Sequence, residues 1–280
     1  MSTVASPPPA TAPREWQRFT PSERLARFAV YFLCVAAIAT SLRTLDVIPE
    51  FLWDAPAQVK DLFVRMWPVD WPFYATPRNI GAQTVHAALI DTLAIALLGT
   101  LFGLLLAVPV GFLAARNIMR WTFVNWLARF VLVATRSIST LLWALFFVAV
   151  FGPGALAGTC AIAFRSIGFV GKLLGEALEE ADPGPIEALT AAGASWSSRV
   201  LYGYWPQIKP AFVGIAMFRW DINVRESSVL GLVGAGGIGM AMNAAIDTFE
   251  WQRVSLILLV IFAVVVVSEV AVTQLRKRVI

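Results

Sequence analysis

Along most of the chain, long apolar blocks alternate with short polar ones. The first block runs from about Phe28 to Leu42 and is extended by Leu25 and Ala26. It is short against the roughly 20 residues that a membrane-spanning helix needs, though Arg27 can reach the interface from its end. Further blocks run from about Thr84 to Ala115, Phe130 to Phe151 and Ala155 to Leu178. A fifth starts near Pro210 and includes a glycine-rich stretch, and the sixth runs from Val254 to Leu275. This pattern predicts an all-α polytopic membrane protein of about six transmembrane helices, with a Gly152-Pro153-Gly154 turn between the third and fourth.

Three segments break the pattern. Residues 1–24 begin "MSTVASPPPATAPRE", which is Pro-rich and lacks the apolar core of a signal peptide. They predict a disordered tail, leaving residues 25–280 as one transmembrane domain. Residues 46–80 carry Pro49, Pro56, Pro68, Pro72 and Pro77 with Trp53, Trp67, Trp71 and Tyr74. Aromatic residues of this kind concentrate at membrane–water interfaces. Within this loop Val59, Leu62, Phe63 and Met66 recur at helical spacing, which predicts a short amphipathic helix lying on the bilayer. The third segment, residues 182–206, is too polar to span. Asp182, Pro183 and Pro185 are helix-start signals and Gly193 a stop. Ser195 can cap a second short helix, ended by Pro206.

Composition agrees with the pattern. Hydrophobic residues make up 58% of the 280 positions and charged ones 14%, and the mean hydropathy is +0.71. The net charge of +4 could suggest nucleic acid, but its distribution argues for a membrane. Arg14, Arg18, Arg24 and Arg27 precede the first span. Arg116, Arg120 and Arg129 follow the second, Arg199 and Lys209 follow the fourth, and Arg276, Lys277 and Arg278 follow the sixth. With six spans all four groups fall on one side, which the positive-inside rule makes cytoplasmic. Both termini are then cytoplasmic. The opposite side receives Asp46, Glu50, Asp54, Asp61 and Asp70, then Asp247 and Glu250. Cys34 and Cys160 lie in apolar runs, and His86 is the only histidine, so neither a disulfide framework nor a metal site is expected.

In "LGLVGAGGIGMAM", Gly234, Gly236 and Gly239 fit G-x-G-x-x-G. A dinucleotide-binding turn needs a preceding strand in a soluble βαβ unit, and that context is missing. Two readings remain. Small residues let membrane helices pack closely, and closely spaced glycines also break a helix, as happens at transporter binding sites.

The polar segment resembles a known signature. Binding-protein-dependent ABC importer permeases carry E-A-A, three residues, Gly, nine residues, then I-x-L-P on the cytoplasmic side. Here Glu187, Ala188 and Leu189 stand first, Gly193 follows at the right offset and Pro206 stands at the end. Leu189 replaces the second Ala, and Gly203 and Trp205 replace Ile and Leu. The segments "RSISTLLWALFFV" from Arg136, "RSIGFVGKLLGEALEE" from Arg165 and "FRWDINVRESSVLGLVGAGGIG" from Phe218 are similar to phosphonate permeases. The resemblance implies a type I importer fold like that of methionine permeases, working as a pair of permeases in the bacterial inner membrane. It also implies an extracytoplasmic solute-binding protein and two ATPase subunits that bind ATP and Mg. This chain has no G-x-x-x-x-G-K-[ST] and is expected to bind no cofactor itself. Residues 182–206 would be the loop that couples to the ATPase, through Glu187, Ala188, Gly193 and Pro206.

Ionisable groups inside a span are costly and often functional. Arg165, Asp221, Asn223 and Arg225, with Gly234, Gly236 and Gly237, are the expected substrate path. Arginine suits a phosphonate, phosphate or phosphite because its planar fork can bind oxyanions in pairs of bonds. The competing reading is structural: Arg136 reaching the interface, Lys172 facing Glu176, and Arg225 pairing with Asp221 or Glu226. A permease for methionine or betaine is the alternative within the class. A secondary transporter working without an ATPase lies outside it, and the loop at Glu187–Pro206 argues against that.

Overall fold

The computed structural model describes residues 21–44, 49–75 and 84–279. The expected N-terminal tail lies outside them, except that Pro21 to Arg24 already belong to a helix. The chain divides into two units at Lys60 and Asp61, and no strand occurs among the described residues.

The first unit holds α1 (Pro21–Thr44) and the start of α2 (Pro49–Met66). At 24 residues, α1 is about 36 Å long, enough to cross a hydrocarbon core. Leu25, Phe28, Tyr31, Phe32, Leu33 and Val35 are all exposed, as suits a helix set in lipid. The amphipathic helix expected in the aromatic-rich loop is α2.

In the second unit, Met66 accepts a hydrogen bond from Ser255 Oγ at 3.0 Å. A short 3₁₀ turn (Trp71–Tyr74) then buries Phe73. Thr84 caps α3 (Val85–Ala114), accepting from Ala87 N at 3.1 Å. The main packing of this unit is α3 against α6 (Ala155–Glu179). Gly99, Gly103, Ala107 and Gly111 recur every four residues along α3, all buried. A Cβ on Gly103 would stand 2.4 Å from Ser166 Cβ, and one on Gly99 2.6 Å from Ile162 Cγ2. The two backbones therefore meet along a small-residue stripe, the way helices associate where lipid removes the hydrophobic driving force.

The structure corrects the expected third span. Instead of one helix from Phe130, there are two, α4 (Thr122–Ser137) and α5 (Thr140–Phe151), bent by 93°. Ser139 ends the continuity by capping α5, accepting from Leu142 N at 3.4 Å. The freed carbonyls of α4 find partners: Ile138 O accepts from Arg165 Nη1 at 2.8 Å and Thr135 O from Trp143 Nε1 at 3.2 Å. Five helical runs among the described residues are long and apolar enough to span, or six with the bent pair counted as one.

The polar segment differs from expectation at Pro206. The first short helix is α7 (Pro183–Ala191), capped by Asp182 Oδ1 on Gly184 N at 3.0 Å. Gly193 closes it at φ +77°. Ser195 then caps α8 (Trp196–Ser198), which runs through a π-helical turn (Arg199–Tyr204) into α9 (Trp205–Leu230). Pro206 ends nothing. It lies just after the π turn, whose i−5 bonding carries the chain into α9. The fifth span accordingly starts at Trp205 rather than Pro210.

The glycine-rich stretch lies beyond α9. A 3₁₀ turn (Gly231–Val233) follows Leu230, then Gly234, Gly236 and Gly237 adopt φ of +84°, +85° and +75°. α10 (Ile238–Asp247) folds back, and a Cβ on Gly231 would stand 2.4 Å from Met240 N. The last helix, α11, covers Trp251–Val279.

Candidate functional site

Halfway along the bundle, α5, α6 and α9 carry a belt of charged side chains. Glu226 Oε2 accepts from Thr140 Oγ1 at 2.8 Å and from Arg219 Nη2 at 3.3 Å. Glu226 Oε1 lies 3.7 Å from Arg165 Nε. The Arg219 side chain is 2% exposed; its Nε donates to Ser166 Oγ at 2.9 Å, and its guanidinium lies over the Phe169 ring. One turn from Glu226, Asp221 pairs with Arg225 and accepts from Ser268 Oγ of α11 at 3.4 Å. The belt thus holds three arginines against two carboxylates.

Arg165, Arg225 and Glu226 line one cavity of about 340 Å³, with Ser139 and Thr140 at the helix break and Leu230 at the end of α9. The structure brings Arg165 and Arg225 together there. Asn223 does not line this cavity; fully buried, it donates to Thr100 Oγ1 at 2.7 Å and, at 3.3 Å, to the Ser166 Oγ that Arg219 also reaches. Arg165 also holds the backbone of the α4–α5 break, donating from Nη1 to Ile138 O. Lys172 pairs with Glu176 at 3.3 Å as its spacing suggests, and Trp143 stacks among Phe147 and Phe164.

Gly234, Gly236 and Gly237 sit at the end of the bundle where α6 begins. Gly234 O accepts from Gly154 N at 2.9 Å, and Ile238 N donates to Thr92 Oγ1 at 2.7 Å. Gly236 leaves no room for a side chain, because a Cβ would stand 2.7 Å from Ala155 N. Gly236 and Gly237 line a second cavity of about 440 Å³ with Asp91, Glu250 and Arg253. Buried Arg253 pairs with Glu250, lies 3.6 Å from Asp70 and covers the Phe73 ring at 4.4 Å.

At the other end, Glu187 and Ala188 are exposed on α7, which buries no residue. α7 rests on the π turn through Ile186 and Leu189, each 3.3 Å from where a Gly203 Cβ would stand. Gln207 Oε1 accepts from Asp182 N at 2.8 Å. Glu187, Ala188 and Gly193 therefore share a projecting surface, with Pro206 exposed two residues beyond the π turn.

Arg219, Thr100, Thr140 and Ser166 were not signalled as site residues by the sequence pattern. Arg219 sits between Phe218 and Trp220, and its partner Glu226 is seven residues on. Two helical turns separate them, so an Arg–Glu pair at that interval inside a span was the available signal.

A bundle of helices long and apolar enough to cross a membrane, with a broken span, a charged belt and a projecting helical loop, defines a multi-span membrane protein. The chain belongs to the family of binding-protein-dependent transport system inner membrane components, whose pattern matches residues 107–280. It is 36% identical over 258 residues to the phosphate-import permease protein PhnE of Mycolicibacterium smegmatis, covering 91% of this chain and 47% of that protein. It thus spans about half the length of that relative. To the phosphite transport system permease protein PtxC of Stutzerimonas stutzeri it is 42% identical, over 72% of this chain and 74% of PtxC. The fold is that of type I ABC importer permeases. The inward-facing MetNI methionine ABC transporter matches with a TM-score of 0.58 at 24% identity, over 68% of this chain and 94% of the other. A bacterial ABC transporter for alginate matches with a TM-score of 0.59 at 13% identity, over 88% and 98%.

Proposed function

We propose that this permease subunit carries a phosphorus oxyanion, of the phosphonate, phosphite or phosphate class, across the bacterial inner membrane. The observation that carries the reading is the charged belt, where buried Arg219, half-buried Arg165 and exposed Arg225 outnumber Asp221 and Glu226 beside one cavity. An excess cation in a partly desolvated cavity favours an anion, and a guanidinium fork matches phosphoryl oxygens. The names of the PhnE and PtxC relatives point to the same chemistry. Contacts in a conducting route need only be weak enough to release the ion; a separate solute-binding protein sets affinity.

Two copies of the chain form the pore, with both termini cytoplasmic. Two ATPase subunits, holding ATP and Mg, dock on Glu187, Ala188 and the Gly193 turn, and their closure drives alternating access. The test is uptake by proteoliposomes holding the permease, its ATPase and its binding protein, offered labelled methylphosphonate, phosphite, phosphate, methionine and betaine. Uptake of a phosphorus oxyanion is expected. Uptake of methionine or betaine alone would overturn the substrate class.

A further inference from the structure

At the α7 end of the bundle, a cavity of about 300 Å³ opens between the α3–α4 connection and the junction of α7, α8 and α9. Asn117 and Arg120 face it from the connection, and Trp196, Arg199 and Tyr204 from the helical junction. Both walls are held in place. Asn117 Nδ2 donates to Leu178 O at 2.6 Å, and Arg116 N to Glu179 Oε1 at 2.8 Å. Arg199 and Tyr204 stand at the two ends of the π turn.

The charge of this cavity is one-sided. Two guanidiniums line it and no carboxylate does. Elsewhere the buried or half-buried arginines are matched: Arg129 with Glu179, Arg165 and Arg219 with Glu226, Arg253 with Asp70 and Glu250. Arg199 has no carboxylate partner among the described residues, and its Nε, like Arg165 Nε and Arg253 Nη2, is buried without a hydrogen bond, so it is the rest of the guanidinium that is free to meet a ligand. Tyr204 is 8% exposed, and its hydroxyl offers a further donor to the same space.

We propose that this cavity is a binding site for a tetrahedral oxyanion of the phosphate type, held by Arg120 and Arg199. Two guanidiniums and a phenol suit a doubly charged anion with several acceptor oxygens. Once bound, the anion joins the α3–α4 connection to the base of the projecting loop and stiffens the surface on which an ATPase would act. The site is separate from the belt. Its ligand chemistry follows from its own side chains and does not depend on which solute is carried. The group can come from free phosphate or from the headgroup of an anionic lipid.

The experiment uses the full chain in nanodiscs of phosphatidylcholine, with labelled inorganic phosphate in equilibrium dialysis. Saturable binding is expected, weakened about tenfold or more by Arg120→Gln or Arg199→Gln, in line with the loss of one charged hydrogen-bonding group. Arg276→Gln, at the exposed end of α11, is expected to leave it unchanged, and the component lost with Arg120→Gln or Arg199→Gln but kept with Arg165→Gln is told apart from phosphate bound on the transport route. A second arm uses nanodiscs containing phosphatidylglycerol and counts retained lipid by native mass spectrometry. Retention that depends on Arg120 and Arg199, without phosphate binding, assigns the site to the lipid headgroup. If the unmodified protein binds neither anion, or binds both regardless of Arg120 and Arg199, the proposal is overturned. Arg199→Lys, which keeps the charge, shows whether a loss in the glutamine variant comes from misfolding.

Discussion

Replacing Glu226 with leucine tests how the belt is held together. The carboxylate accepts from Thr140 Oγ1 at 2.8 Å and Arg219 Nη2 at 3.3 Å, and lies 3.7 Å from Arg165 Nε. Its loss leaves Arg165, Arg219 and Arg225 facing Asp221 alone, so the belt's excess charge rises from one to two. Removing one partner of a buried ion pair typically costs 3–5 kcal/mol. The Glu226 side chain is 25% exposed, so the lower end, about 3 kcal/mol, is expected. Arg219→Met with Glu226→Leu returns the excess to one and fills the space with apolar groups. The double variant is therefore expected to recover about half or more of that loss. The assay is reversible unfolding in mixed detergent micelles, titrated with dodecyl sulfate, on both single variants and the double. If the two single costs simply add, Arg219 and Glu226 are not coupled and the reading of the belt fails.

Other outcomes follow from the same geometry. Thr92→Val removes the acceptor for Ile238 N and should cost about 1–3 kcal/mol, seen as faster amide exchange at Ile238. Gly103→Ala brings a methyl group to 2.4 Å from Ser166 Cβ and should cost about 1–3 kcal/mol by overpacking, read as a lower melting temperature. At Gly193 no atom lies within 4 Å of a Cβ, so Gly193→Ala carries only the left-handed backbone cost of about 1–2 kcal/mol. Gly193→Asp in the reconstituted transporter should uncouple ATP hydrolysis from uptake, and normal uptake by the folded variant would count against the docking role. Arg225→Gln should lower oxyanion uptake, and unchanged uptake kinetics would remove that residue from the route.

The block lengths and helical spacing carried most of the architecture. α3, α6 and α11 cover the expected second, fourth and sixth spans, and α2 carries the expected amphipathic stripe. The α4–α5 break was hidden because it contains neither Pro nor Gly. Its signal was Ser139 before an apolar run, a favoured capping residue. Pro206 misled for the opposite reason: the π-helical turn before it carries the chain straight into α9, so the proline ends no helix. Arg165, Arg225 and Asp221 were readable as ionisable groups inside spans. Arg219 was not, because its contacts to Ser166 and Phe169 join α9 to α6 and leave no mark in local sequence.

The glycine stripe between α3 and α6 bears on motion. Where the α3 backbone lies this close to α6, as at Gly111 against Gly171 O, little side chain is left to absorb a displacement. Sliding α3 past α6 by one residue would drive Ser166 or Ile162 into main-chain atoms at Gly103 or Gly99. The pair is therefore a single stiff strut. By contrast, α11 exposes Leu258, Leu259, Phe262, Val266 and Val267, and meets the belt through the long Ser268–Asp221 contact. Deformation in such a bundle runs along its softest seams, so rearrangement between two access states would be borne outside the α3–α6 strut.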